Sequence, residues 1–243
     1  MLVDLHCHLL PGIDDGPDTL EESLQLCQIA VESDISVAVV TPHIHPGRWE
    51  NNRQSIAEQC SALQQSLVSK RIPLRLGFAG EVRLTEQVID QVAQNQIPFY
   101  GELDGYHIML LEFPHGHIIP GSDKLVQWLL DRRIRPLIAH PERNKAVMKH
   151  SACLLPFLEA GCLLQLTAGS LTGSFGGKAQ AIAQQLLQDN VVAVVASDGH
   201  NAKARPPELK NAFHHIAEHY GQARAERLMI HTPATIVASQ FVE

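Results

Sequence analysis

At 243 residues and 45% apolar content, the chain buries one substantial core. It is too short for two full-size domains and fits a single α/β domain over residues 1–243. A formal charge of −7 argues against a nucleic-acid binder, which carries a basic patch or stripe, and no apolar run is long enough for a membrane span. Cys7, Cys27, Cys60, Cys153 and Cys162 are scattered without a C-x-x-C pair, which reads as buried thiols in a reducing compartment. No charged-then-apolar leader precedes the first apolar run, so a cytoplasmic location is expected.

In chain order, the short strand Leu2–Leu5 runs into His6-Cys7-His8. Residues two apart on an extended strand share a face, so both imidazoles project into one space and Cys7 points away from it. Two adjacent imidazoles are hard to hold together without a cation, and histidine is the commonest metal-ligating side chain. The acidic pair Asp14-Asp15 follows in the same loop. Overlapping capping-box patterns in Asp18–Glu22 open a helix over Thr19–Ser33. Ser36–Thr41 is a β-branched strand that ends in the loop Pro42–Gly47, which contains His43 and His45. A helix over Asn51–Ser69 is followed by a strand over Leu74–Gly80 that leads to Glu81, and then by a helix over Thr85–Ala93.

The strand His107–Leu111 ends at Glu112, and Ser122–Arg132 is helical. Arg135–Ala139 is a strand ending in His140-Pro141-Glu142-Arg143. A helix over Ala152–Ala160 precedes the strand Cys162–Thr167, the Gly/Ser-rich loop Ala168–Gly177 and a helix over Lys178–Leu187. Val191–Ala196 is the last strand and runs into Ser197-Asp198-Gly199-His200. Helices over Glu208–His219 and Ala223–Ile230 close the chain.

Such alternation, with short continuous apolar strands, predicts a parallel sheet covered on both faces. An open doubly wound sheet and a closed barrel both satisfy it. The polar residues favour the barrel: His6/His8, His43, Glu81, Glu112, His140 and Asp198/His200 each lie just past the carboxyl end of a predicted strand. Those ends form one mouth in a β/α barrel, where active sites sit.

Mixed histidine and carboxylate ligands without clustered thiolates suit Zn²⁺, Mn²⁺ or Fe. With Asp15 included, the candidates exceed what one ion needs and would serve two or three. Clustered metals suit phosphoester hydrolysis. Arg143 and Arg205, on mouth loops, are suited to holding phosphate charge.

H-x-H on the first strand, T-P-H on the second, G-x-E-x-R on the third, A-H-P-E-R on the fifth and S-D-x-H on the seventh resemble the polymerase and histidinol phosphatase (PHP) superfamily. More closely, H-x-H-x6-D-D-G-P, A-H-P-E-R and S-D-x-H-N-x4-R-P-P resemble its bacterial metal-dependent protein-tyrosine phosphatases of the CpsB/CapC type, which occur with capsule and exopolysaccharide biosynthesis. This resemblance runs from Leu2 to about Pro207.

It implies a distorted seven-stranded β/α barrel holding three divalent ions, usually manganese. His6, His8, Glu81 and Asp198 would hold the first ion. Glu81 would bridge to a second on Glu112 and His140, and Asp15, His43 and His200 would hold a third. Motif alignment favours Asp15 over Asp14 as the ligand and leaves Asp14 to cap the loop backbone. The implied substrate is a phosphotyrosine-bearing tail of a bacterial tyrosine kinase. The implied mechanism is direct attack by a metal-bridging hydroxide, with Arg143 and Arg205 clamping the phosphoryl group and His43 or His45 as candidate acids. A small-molecule phosphatase, such as one acting on histidinol phosphate, and a non-catalytic binder of kinase tails are the competing readings.

Cys7 lacks the phosphate-cradling loop of a cysteine phosphatase and reads as packing. Trp49, Phe113 and Tyr106 are candidates either for the mouth or for the core. The Thr167–Gly177 loop either gates the mouth or turns the chain.

Overall fold

The computed structural model describes residues 1–241. The strands are β1 (Leu2–Cys7), β2 (Ile35–Val40), β3 (His43–Ile44), β4 (Arg75–Phe78), β5 (Glu81–Arg83), β6 (Glu102–Leu103), β7 (Tyr106–Glu112), β8 (Ile134–Ala139), β9 (Leu163–Thr167) and β10 (Val194–Ala196). The helices are α1 (Leu20–Glu32), α2 (Arg53–Lys70), α3 (Val88–Ala93), α4 (Ser122–Leu130), α5 (Leu155–Glu159), α6 (Ala168–Leu171), α7 (Gly177–Gln188), α8 (Lys210–Tyr220), α9 (Gln222–Glu226) and α10 (Thr232–Val237). Local chemistry sets their starts. Thr19 and Glu22 form a reciprocal capping box at α1, and the Asn52 side chain accepts from the Gln54 and Ser55 amides at α2.

Parallel pairing gives two sheets, ordered β1-β2-β4 and β10-β9-β8-β7-β5-β3. They are two arcs of one barrel. The chain breaks at Thr41-Pro42, where proline cannot donate to a ladder, so β2 pairs with β1 and β4 while β3 pairs with β5. Likewise, the strand expected over Leu74–Gly80 forms only as β4, which pairs with β2, and a separate strand β5 starts at Glu81 beyond it and pairs with β3 and β7. Each of these staves therefore crosses from one arc to the other, which is the distortion of the barrel.

β1 and the end of β10 close the ring. The Asp198 amide donates to the His6 carbonyl at 2.7 Å and the His8 amide to the Gly199 carbonyl at 2.8 Å. Fully buried Asp4 reinforces this seam by accepting from the Ser197 amide at 2.9 Å and hydroxyl at 2.5 Å. Burial raises the Asp4 pKa, and those hydrogen bonds oppose the rise.

One apolar cluster fills the space between barrel and helices. A second lies inside the ring, with Val3, Leu5, Val39, Leu110, Leu137 and Val194 from successive strands. Ile236 and Val237 of α10 join the inner cluster from the side of β6, which pairs with the start of β7. Past α10, Gln240 spans the split between β4 and β7: it accepts from the Phe78 amide and donates to the Phe78 and Tyr100 carbonyls. Sequence reading ends the chain in two helices. The structure instead interrupts the second with a π turn over Arg227–His231 and adds α10. Likewise, the loop after β9 opens with the short α6. Among the described residues no helix is long and apolar enough to cross a membrane.

Candidate active site

His6, His8, His43, Glu81, Glu112, His140, Asp198 and His200 reach one mouth from the ends of the strands, joined by Asp15 from the loop after β1. Two turns that aim them are left-handed: His140 has φ 33° and Asp198 φ 53°, a region that histidine and aspartate enter more readily than most residues. Glycine shapes two more. A Cβ on Gly16 would lie 2.7 Å from the His8 carbonyl oxygen, and one on Gly199 would lie 2.6 Å from Pro207 Cα. The D-D-G-P and S-D-G-H segments thus need glycine because other backbone lies against them. Asn201 completes the second turn by accepting from the Lys203, Ala204 and Arg205 amides.

At the centre, His6 Nε2 and His8 Nε2 are 3.3 Å apart. Glu81 Oε2 is 3.4 Å from each, and Asp198 Oδ1 is 3.3 and 3.5 Å from them. Donors about 2.1 Å from a tetrahedrally held ion stand about 3.4 Å apart, and the grouping of His6, His8 and Glu81 has that spacing, with Asp198 at the same distance from both imidazoles. Three further groupings adjoin it: His8, Asp15, His43 and His200; His43, Glu81 and Glu112; and His6, His140 and Asp198. His6, His8, Glu81 and Asp198, expected from the sequence to share an ion, meet here, Asp198 in a grouping with His6 and His140. The neighbouring sets share more members than expected, with His8 added beside Asp15, and with His43, not His140, grouped with Glu81 and Glu112. His140 Nε2 still lies 2.8 Å from Glu81 Oε1.

The donor atoms fit cations. Glu81 Oε2 and His43 Nδ1 are buried without a hydrogen bond although 2.9 Å apart. The other nitrogen of several imidazoles is fixed from behind, which leaves Nε2 facing the cage. His6 Nδ1 donates to Gln165 Oε1 at 2.8 Å, and the Gln165 amide nitrogen donates to the Leu166 carbonyl. His8 Nδ1 donates to Asp14 Oδ2 at 2.6 Å, and His200 Nδ1 to the Asp198 carbonyl at 2.9 Å. Asp14 is therefore more than the loop cap expected. It accepts from the Gly16 amide, but also from His8 and the His43 amide. Asp15, with its side chain 41% exposed, faces His43 Nε2 at 3.2 Å and His200 Nε2 at 3.3 Å. Sequence reading gives Gln165 no role, yet a buried glutamine within the apolar run L-L-Q-L-T is a signal for one.

Charge balances the cage. Burial opposes ionisation of Asp198, but Arg143, His6 and Arg205 hold its pKa well below the carboxylate range. The Asp198 Oδ2 atom receives Arg143 Nη1 and, at 2.6 Å, Arg205 Nη2. Burial disfavours charged His43 too, yet Glu81 and Asp15 raise its pKa to about 9. For His200, burial and the His8 charge win and lower it to about 4. Glu112 pairs with Arg83 at 2.8 Å.

Of the aromatic candidates, Trp49 lines the mouth, stacked on His43 at 4.6 Å, with the Arg48 guanidinium 3.9 Å from its ring centroid. Phe113 is core, against Phe157. Tyr106 lies at the start of β7, beneath Arg133 and Arg135. His45 and His115 line the mouth without joining a metal grouping. Cys7 is fully buried, its thiol donates to the Val39 carbonyl, and burial raises its pKa well above the usual value; that thiol is no nucleophile.

Known proteins resemble this chain over nearly its whole length. The family profile for capsular polysaccharide synthesis, CpsB/CapC, matches residues 2–238. Tyrosine-protein phosphatase YwqE of Bacillus subtilis is 31% identical over 220 residues, covering 90% of this chain and 85% of that protein. Tyrosine-protein phosphatase CpsB of Streptococcus agalactiae is 27% identical over 246 residues, covering 99% and 100%. A crystal structure from work on YwqE of Bacillus subtilis and CpsB of Streptococcus pneumoniae, metal-dependent tyrosine phosphatases, superposes with a TM-score of 0.90 at 29% identity, covering 99% of this chain and 96% of that one.

Proposed function

The chain belongs to the CpsB/CapC family, and on that premise we propose that it is a metal-dependent protein-tyrosine phosphatase. Its substrate is phosphotyrosine on the tail of a bacterial tyrosine kinase that controls capsule or exopolysaccharide synthesis. Residues 1–243 act as one catalytic domain in the cytoplasm. The observation that carries this reading is the convergence of His6, His8, Glu81 and Asp198, the two imidazoles 3.3 Å apart and each 3.3 to 3.5 Å from both carboxylates, with two arginines converging on the far oxygen of Asp198.

The donors suit divalent ions, three of them, manganese by preference. His6, His8, Glu81 and Asp198 would hold one; Glu81, Glu112 and His140, with His43 beside them, would hold a second; Asp15, His43 and His200 would hold the third. When bound, the ions supply Lewis acidity and lower the pKa of water toward neutrality. The chain's own residues do the rest. Gln165 and Asp14 keep the His6 and His8 lone pairs aimed inward. Arg143 and Arg205 bind phosphoryl oxygens with guanidiniums already at the cage wall. Trp49 offers its ring beside the mouth to an aryl group. A phenolate of pKa near 10 needs only modest help in leaving. That help would come from a bound ion or from a mouth imidazole such as His43 or His45.

The test is hydrolysis of a phosphotyrosine peptide by the metal-loaded chain. A chelator abolishes turnover and thiol alkylation leaves it intact. Arg143→Ala lowers kcat/KM by about 10²–10³ with metal content retained. Turnover that survives chelation refutes the mechanism. Preference for histidinol phosphate transfers the chain to the small-molecule reading, and full metal content without turnover transfers it to the binder.

A further inference from the structure

The segment between α6 and α7, Thr-Gly-Ser-Phe-Gly over 172–176, has no part in the reading above. It lays the Phe175 ring against both arginines of the mouth. Arg143 Cζ is 4.4 Å from the ring centroid and Arg205 Cζ 5.9 Å, both within cation–π range. These two cations reach the same oxygen, Asp198 Oδ2, so they repel one another and need something besides that carboxylate to stay side by side. The ring's own place is fixed by glycines. Gly173 and Gly176 take φ of +89° and +84°, where a side chain is strained. The Ser174 amide donates to the Gly169 carbonyl at 2.8 Å. At Gly169 a Cβ would come to 3.0 Å from Phe175 Cε2, so the absence of a side chain there makes the seat for the ring.

We propose that Phe175 is a positioning residue whose ring holds Arg143 and Arg205 together as a preset phosphate clamp. This rests on the phosphatase reading, in which those arginines bind the phosphoryl group. The ring face substitutes for water on the guanidinium planes and leaves their N–H edges free for oxygen. The loop thereby neither gates the mouth nor merely turns the chain; it stiffens one wall.

The experiment compares Phe175→Ala, Phe175→Leu and Phe175→Trp in the full metal-loaded chain. It reads equilibrium binding of inorganic phosphate, and kcat and KM separately on a phosphotyrosine peptide. Losing the π face in the Ala and Leu variants weakens phosphate binding and raises KM by about tenfold, while Trp restores both. Metal content stays at the wild-type level throughout. A Leu variant equal to wild type would show that only ring volume matters and would overturn the proposal, as would an Ala variant with unchanged phosphate affinity. If the wild-type protein holds its metal and binds phosphate but cleaves no phosphotyrosine, the phosphatase reading fails, and the phosphate titration of the variants still decides the clamp.

Discussion

Replacing Asp14 with Asn separates a residue that orients a ligand from one that is a ligand. The Asp14 carboxylate accepts from His8 Nδ1 at 2.6 Å and from the Gly16 and His43 amides, each at 3.0 Å. Asparagine keeps the volume and one acceptor oxygen but loses the charge. A charge-assisted hydrogen bond is roughly twice as strong as a neutral one, so about 1–1.5 kcal/mol of support for the inward-facing His8 tautomer is lost. That corresponds to about tenfold in metal affinity, at the lower end of what removing the partner behind a ligating histidine costs. Asp15→Asn instead removes an oxygen that faces His43 and His200 directly. Equilibrium dialysis against Mn²⁺ with metal counting distinguishes them. Asp14→Asn retains the full number of ions at saturation with weakened affinity, whereas Asp15→Asn loses an ion however much metal is added. An Asp14 variant one ion short beside an intact Asp15 variant would refute the assignment.

Acidity gives a second prediction. Because Glu81 and Asp15 outweigh burial and raise the His43 pKa to about 9, the metal-free chain carries a proton there at pH 7 that an ion must displace. Metal affinity therefore climbs with pH to about 9, and binding at pH 7 releases protons; equal heats in two buffers of different ionisation enthalpy would refute this. The same raised pKa stabilises the metal-free fold fully below 6.5, a contribution lost as pH rises through about 9. Gly199→Ala places a Cβ 2.6 Å from Pro207 Cα and 2.7 Å from its nitrogen, backbone atoms that cannot swing aside. It should destabilise by about 1–3 kcal/mol, read as a lowered Tm with weakened metal binding, and an unchanged Tm would sink the steric argument. Tyr100→Phe removes the hydroxyl that donates to the Leu5 carbonyl at 2.5 Å inside the barrel. The orphaned carbonyl costs about 1–3 kcal/mol, measurable as a lower denaturant midpoint with unchanged slope.

The primary structure by itself determined the alternation of elements and the chemistry at the strand ends. A short apolar run says strand, and Thr19 with Glu22 says helix start, because both signals act within a few residues. His6 and His8 converge, and Cys7 faces away, for the same local reason. The family signatures then supplied an expected grouping of distant ligands, and His6, His8, Glu81 and Asp198 do meet at the mouth.

What tertiary structure alone decided lies in pairings with no local trace. His6 and Gln165 meet across 159 positions, and Gln240 bonds Phe78 across 162. The break between β4, inside the strand expected over Leu74–Gly80, and β5 beyond it depends on which neighbour each finds, β2 or β3 and β7. Phe175 reads as one aromatic in a Gly/Ser-rich loop until the barrel brings Arg143 and Arg205 beneath it. Backbone propensity and side-chain period are properties of a few consecutive residues, whereas a hydrogen bond or cation–π contact between strands exists only once the ring has closed and set the distance.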